Sequence, residues 1–207
     1  MNASRHLLIA TSNERKRAEI QQLLSDLPFS LFDLRHFPAI QPVAETGATF
    51  VENASLKAIG YATQTGLLTL ADDSGLEVDA LGGAPGVLSA RYTGDSASDA
   101  ERVEALLTAL AYVDESKRSA RFVSAVVIAA SNRQILNVSV GECEGRIALA
   151  PRGAGGFGYD PVFIPNAGDL TFAELQPAIK NLLSHRARAL ASTRAYFLGL
   201  TTASGAD

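Results

Sequence analysis

The chain has 207 residues, 47% of them hydrophobic and 19% charged, with a formal net charge of −4. Such a length suggests one domain, or one domain with two lobes, and can bury a sizeable core. The acidic balance argues against a general nucleic-acid binder, no apolar run approaches membrane-spanning length, and the single cysteine, Cys143, excludes an internal disulfide and fits a reducing compartment.

Leu7-Leu8-Ile9-Ala10 is too short for the apolar core of a secretory signal, and no cleavage site follows it. A cytoplasmic protein is expected. His6 to Ala10 reads as a first strand. Thr11-Ser12-Asn13 then makes a polar turn into a helix from about Glu14 to Ser25, with Ile20, Leu23, Leu24 and Leu27 as its apolar face. Backbone N–H groups at a helix start attract anions, and Lys16 in the first turn can reach the same point. The glycines of a Walker loop are missing. Taken alone, this segment is better explained by Ser12 or Asn13 capping the helix.

Ser30 to Leu34 reads as a second strand beside the first. An irregular link with Pro38 and Pro42 leads to Thr49 and Glu52, whose spacing is that of a capping box. The helix it opens should run to about Gln64, with Gly66 as its stop. Glu45 lies just before this helix and Lys57 within it.

Leu67 to Leu70 is a short apolar run that reads as a buried strand, and Ala71-Asp72-Asp73-Ser74-Gly75 follows at its expected end. Open α/β sheets place ligands at the carboxyl ends of strands. Neighbours on a strand point to opposite faces, so Asp72 and Asp73 should have different tasks. One can face a ligand and hold a hard cation while the other braces the turn. Taken alone, Asp72-Asp73-Ser74-Gly75 is better explained by a strand ending in an ordinary polar turn.

Gly82 to Gly86 is a glycine-rich loop, followed by Ser89-Ala90-Arg91-Tyr92. Ser98 and Glu101 form a second capping box, before a helix with Val103, Leu106, Leu107 and Leu110 on one face. Arg121 to Ala130 and Gln134 to Cys143 read as a hairpin, which makes the sheet mixed. A second glycine loop, Gly153 to Asp160, carries Phe157 and Tyr159 and leads into a strand from Pro161 to Ile164. An aromatic in such a loop can close over a flat ligand or simply pack in a turn. Thr171 and Glu174 suggest a third capping box and a short helix ending near Pro177. Lys180, His185 and Arg186 cluster before and within the first turn of a last helix, expected to start near Ser184 and reach about Gly199. Residues 201–207 are small and polar and are expected to be a disordered tail after a single domain over residues 1–200.

Glu45, Asp72 and Asp73 suit Mg²⁺, which takes one or two protein oxygens and completes its shell with water and phosphate. Lys16, Lys57 and Lys180 suit a polyphosphate, and an aromatic with His185 and Arg186 suits a base. No activated serine or cysteine is evident, so water is the expected nucleophile.

Eight motifs stand in order: Thr11-Ser12-Asn13-Glu14-Arg15-Lys16, Glu45-Thr46-Gly47, Glu52 to Ala58, Ala71 to Leu76, Gly82 to Val87, Ser89 to Tyr92, Gly156 to Pro161, and Ser184-His185-Arg186. Together they resemble the inosine triphosphatase-like family, which hydrolyses non-standard purine nucleoside triphosphates. Arg15 and Ile179 depart from the usual pattern, which has Gly or His before Lys16 and Glu before Lys180. The resemblance implies an α/β fold with a long mixed sheet flanked by helices, two lobes and a central cleft, and a homodimer. It implies cleavage of inosine, deoxyinosine and xanthosine triphosphates to a monophosphate and pyrophosphate. By the same resemblance Asp73 is the general base and a Mg²⁺ ligand, with Glu45 as second ligand. Thr11, Ser12, Asn13, Lys16 and Lys57 hold phosphates, and Ser74 contacts the nucleotide. Phe157, Gly158, Tyr159, Asp160, Lys180, His185 and Arg186 bind the nucleoside and its base. Two other readings stay open: a pyrophosphatase of the same fold acting on pyrimidine or other modified nucleotides, and a non-catalytic Mg-nucleotide sensor.

Overall fold

The structure, a computed structural model, describes residues 5–203. Six strands form one mixed sheet in the order β2-β1-β3-β4-β5-β6. They are β1 (Arg5–Ile9), β2 (Phe29–Asp33), β3 (Leu68–Val78), β4 (Ser119–Ala129), β5 (Ile135–Ile147) and β6 (Phe163–Pro165). The helices are α1 (Glu14–Leu23), α2 (Phe50–Thr65), α3 (Asp99–Ala109), α4 (Pro177–Leu183) and α5 (His185–Ala203). The expected α/β class and mixed sheet are borne out. Because α5 reaches Ala203, the expected tail begins in helix, and residues 204–207 lie outside the described residues.

The chain divides into two compact units. The first holds the residues up to Asp73, Ser124–Gly141 and those from Arg186 on; the second holds Ser74–Val123 and Glu142–His185. In the first, β1 pairs in parallel with β2, from Arg5↔Phe29 to Ile9↔Asp33, and with β3, from Leu7↔Leu68 to Ile9↔Leu70. A strand buried on both faces needs a continuous apolar run, and Leu7-Leu8-Ile9 supplies it. The core here joins Leu7, Ile9, Ile20, Leu24, Leu70, Val126, Ile128, Leu190 and Phe197. In the second unit, Leu76, Val78, Val103, Leu106, Leu110, Phe122, Ile147, Tyr159, Phe163 and Phe172 form another.

Helix starts follow local chemistry. Thr49 Oγ1 accepts from the Glu52 N–H, Glu52 returns the bond to the Thr49 N–H, and Gly66 closes α2 with φ 72°. Ser98 and Glu101 form the same reciprocal pair before α3. The third expected box does not open a helix. Thr171 Oγ1 donates to the Arg152 carbonyl at 2.8 Å and the Thr171 N–H to Glu174 at 2.7 Å, while Phe172 N–H pairs with the Phe163 carbonyl. These non-local bonds hold Thr171 to Glu174 as a turn, and the helix starts later, with Pro177 in its first turn. Lys180 therefore lies inside α4 rather than in a link before the last helix.

The strand before Ser74-Gly75 does not stop there. β3 runs through Asp72, Asp73, Ser74 and Gly75 to Val78. Pairing with the long β4 carries it across residues whose own preference is for turns. Its pairing with β1 does end, at Leu70. Asp72 and Asp73 thus sit just past the carboxyl end of β1, on a stretch of β3 that β1 no longer pairs.

At the end of β2, buried Asp33 accepts from Arg35 Nη2 at 2.8 Å and from the Arg35 N–H at 3.0 Å. Hydrogen bonds from Arg35 hold its pKa at about 2, below the ordinary 3.8. The folded value lies below the unfolded one, so this stabilisation is fully present above about pH 4 and is lost as pH falls through about 2. Asp33→Asn should cost ~1 kcal/mol at pH 7, a figure reduced because Arg35 is largely exposed. Chemical denaturation at pH 3 should show the difference from wild type roughly halved.

Candidate active site

Asp72 and Asp73 face different partners, as strand alternation requires. The Asp73 side of the first unit is built on α2. The Gly47 N–H donates to Asn53 Oδ1 at 2.8 Å, and a Cβ on Gly47 would lie 2.6 Å from the Glu52 Cβ. Glycine is therefore required for this close approach, which pins the Glu45-Thr46-Gly47 segment against α2. One turn beyond Asn53, the buried Lys57 donates to Asp73 Oδ1 at 2.9 Å and pairs with Glu45 Oε2 at 3.2 Å. Two carboxylates thus share one ammonium.

Asp73 Oδ2 is buried with no hydrogen-bond partner among the described residues. Such an atom is expensive to leave bare and marks a place where a cation or water belongs. Burial raises the Asp73 pKa and the Glu45 charge adds to it, against the pull of Lys57 and Lys16. Burial works against the Lys57 ammonium, but Asp73 and Glu45 outweigh it and hold its pKa above normal. Glu45, despite partial burial, is held below normal by Lys57.

The Asp72 side is closed. Its carboxylate accepts from Ser124 Oγ at 2.5 Å, pairs with Lys16 Nζ at 2.9 Å and lies 3.5 Å from Arg186 Nε. Arg186 also pairs with Glu19 of α1. These charges hold the Asp72 pKa far below the usual carboxylate range in spite of its burial. Lys16, by contrast, is pushed down by burial more than Asp72 raises it. Thr11, Ser12 and Asn13 lie in the turn after β1. Asn13 Oδ1 accepts from the Arg15 and Lys16 N–H groups at 3.0 and 3.1 Å, so it is the cap of α1. Ser74, next on β3, is half-buried.

In the second unit, the loop Gly153–Asp160 is tied down by its own polar groups. Asp160 Oδ2 accepts from the Phe157 N–H at 2.8 Å and from Lys180 Nζ at 2.6 Å. Lys180 Nζ also sits 4.9 Å from the Phe157 ring centroid, within cation–π range. A Cβ on Gly156 would collide with Asp160 Oδ2, and Gly156 has φ 71°. Tyr159 is core, with its hydroxyl donating to the Ser89 carbonyl at 3.0 Å, and burial raises its pKa. His185 is buried and stacks on Phe122, with centroids 4.7 Å apart and planes at 11°.

The first unit therefore collects Glu45, Lys57 and Asp73 on one side and Lys16, Asp72 and Arg186 on the other. The second collects Phe157, Asp160 and Lys180, with Tyr159 and His185 in the core. Glu19 and Ser124 escape sequence reading. Glu19 is one of several charges on α1 and carries no distinguishing signal. Ser124 does, as a lone hydroxyl within the apolar run Phe122 to Ile128, where a buried polar group needs a partner. No group of three or more His, Cys, Asp or Glu side chains placed to hold a metal ion occurs among the described residues.

The fold and this site define an α/β protein with a lysine-held carboxylate pair beside the carboxyl end of a parallel strand. The Ham1 family profile matches residues 7–196. A dITP/XTP pyrophosphatase of Streptococcus pyogenes serotype M3 is 50% identical over 185 residues, 89% of this chain and 56% of the relative. The chain thus spans little more than half the length of such streptococcal relatives. A dITP/XTP pyrophosphatase of Vibrio parahaemolyticus is 48% identical over 90% of this chain and 93% of its own length. The solved structure of a HAM1 protein from Coxiella burnetii superposes with a TM-score of 0.86 at 44% identity, covering 96% of this chain and 99% of that one. The chain belongs to the Ham1 family, which bears out the resemblance drawn from its motifs.

Proposed function

We propose that the chain is a Mg²⁺-dependent nucleoside triphosphate pyrophosphatase. It hydrolyses non-standard purine nucleotides (inosine, deoxyinosine and xanthosine triphosphates) to the monophosphate and pyrophosphate, removing them from the nucleotide pool. The observation that carries this reading is the buried, unpartnered Asp73 Oδ2 beside Glu45 and Lys57, in a chain whose relatives are named dITP/XTP pyrophosphatase.

The donor set fits Mg²⁺, which accepts two carboxylate oxygens and leaves its other positions to water and phosphate oxygens. Glu45 and Asp73 would hold it, and when bound it neutralises phosphate charge and polarises phosphorus. Asp73 takes a proton from the attacking water, a task helped by a carboxylate whose pKa burial has raised. Lys57 stays charged between the two carboxylates and stands where phosphate charge would be met. Lys16 and the Thr11–Asn13 turn offer donors to the remaining phosphates, with Ser74 next to the base catalyst. The Phe157 ring stacks on the purine. Asp160 and Tyr159 hold that ring's loop, and Lys180 ties Asp160 in place beside it. We place this activity in the cytoplasm and in a homodimer; light scattering that returns a monomer at working concentration would remove the dimer.

Pyrophosphate release over a panel of purine and pyrimidine nucleoside triphosphates tests the reading. Inosine, deoxyinosine and xanthosine triphosphates should lead the panel, and excess EDTA should abolish turnover. Reaction in ¹⁸O-water should label the monophosphate and leave pyrophosphate unlabelled. Full activity in EDTA, or orthophosphate as the first product, would count against it. Binding of inosine triphosphate without turnover would favour a sensor.

A further inference from the structure

The Phe157 loop is held from a second side by a residue outside the groups described above. Asp99 opens α3, just after its cap Ser98. Its Oδ2 accepts from the Gly158 N–H at 2.8 Å, and its Oδ1 accepts from Arg102 Nη2 at 2.6 Å. Arg102 in turn donates to the carbonyls of Ala90 and Ala97, at 3.0 and 2.5 Å. The Asp99 carboxylate is thus held by a guanidinium that is itself tied to the chain before α3. Beside this clamp, the Tyr159 hydroxyl reaches the Ser89 carbonyl at 3.0 Å.

Gly158 has φ 61°, a left-handed conformation that suits a residue without a side chain, and its N–H is the donor to Asp99. Phe157 sits between two fixed points: its own N–H on Asp160 and the next N–H on Asp99. Losing the second removes the anchor on the Asp99 side and leaves the one on Asp160.

We propose that Asp99 is a positioning residue for nucleotide binding, acting through the Gly158 N–H to hold the Phe157 ring where it stacks on the base. This rests on the pyrophosphatase reading for its kinetic consequence, but the positional claim is separate. Stacking contributes to binding in ground and transition state alike, so its loss raises KM with kcat little changed. A hydrogen bond to a charged acceptor corresponds to roughly tenfold or more in an equilibrium.

Three readings test it. First, hydrogen exchange of the segment 153–161 should speed up at least about tenfold in Asp99→Ala, whereas Asp99→Asn, which keeps an acceptor oxygen, should restore most of the protection. Second, Asp99→Ala should raise KM for inosine triphosphate roughly tenfold with kcat within about threefold, and by a similar factor for the other purine triphosphates. Third, in a Phe157→Ala background Asp99→Ala should add little further, because the ring it positions is gone. If Asp99 merely caps α3, both substitutions lower the melting temperature while exchange at 153–161 and KM stay at wild-type values, and the proposal is overturned. Full additivity with Phe157→Ala overturns it too. A wild-type protein that releases no pyrophosphate from any purine triphosphate defeats the functional reading instead, and the exchange comparison still decides the role of Asp99.

Discussion

Asp73→Asn should lower turnover of inosine triphosphate by at least ~10²-fold, the scale of a general-base contribution, while the protein stays folded. The amide keeps the shape of the carboxylate and removes its charge and basicity. Lys57 retains Glu45 as a partner at 3.2 Å, so the substitution leaves no orphaned buried cation. The melting temperature should move by a few degrees at most. Neutralising the side chain weakens its bond with Lys57 but also relieves the burial of a charged oxygen that has no partner among the described residues. Near-normal kcat in a folded Asp73→Asn protein would place the base elsewhere in the site. Glu45→Gln is the matching probe of the metal: it should raise the Mg²⁺ concentration needed for half-maximal activity more than it lowers saturated turnover.

The neighbouring substitution should fail differently. Asp72→Ala removes the carboxylate that Lys16, Arg186 and Ser124 share, all within 3.5 Å of it. Breaking one side of a buried ion pair costs ~3–5 kcal/mol, since the remaining charges have lost their compensation. Lys16, which burial already pushes toward the neutral form, would lose the interaction that opposes this. Arg186 cannot shed its proton and would be left leaning on Glu19. Denaturant midpoints should therefore fall sharply for Asp72→Ala, and Ser124→Ala should cost about 1 kcal/mol, the size of one hydrogen bond. A loss below 1 kcal/mol for Asp72→Ala would mean the cluster is solvated and its charges independent. Two adjacent carboxylates thus separate cleanly: Asp73 serves the chemistry in the mechanism we propose, and Asp72 organises the cations around it.

Much of the local structure is legible because its causes lie within a few residues. The reciprocal bonds of Thr49 with Glu52 and Ser98 with Glu101 need only a three-residue spacing. Gly66 stops α2 because its φ of 72° suits a residue without a side chain. That Asp72 and Asp73 face different partners follows from strand alternation alone. The same spacing at Thr171 and Glu174 misleads, because the Arg152 carbonyl, nineteen positions away, captures the threonine hydroxyl. Ser74-Gly75 reads as a turn, yet β3 continues to Val78 because partner strands outweigh local preference.

The residue types, their order and the family they belong to are properties of the chain as a string. They single out the carboxylates, the lysines and the aromatic loop as the candidate residues of the site we propose. Which charge meets which is decided only when distant segments pack. Lys16 lies on Asp72, Lys57 spans Asp73 and Glu45, and Lys180 lies on Asp160. Pairings of this kind depend on distances of a few ångströms between elements tens of residues apart, and no local periodicity encodes them. The same holds for Tyr159, whose place in a binding motif does not reveal that its ring is core and its hydroxyl spent on Ser89. Burial is a tertiary quantity, and it is burial that raises the pKa of Asp73 and leaves its second oxygen without a partner among the described residues.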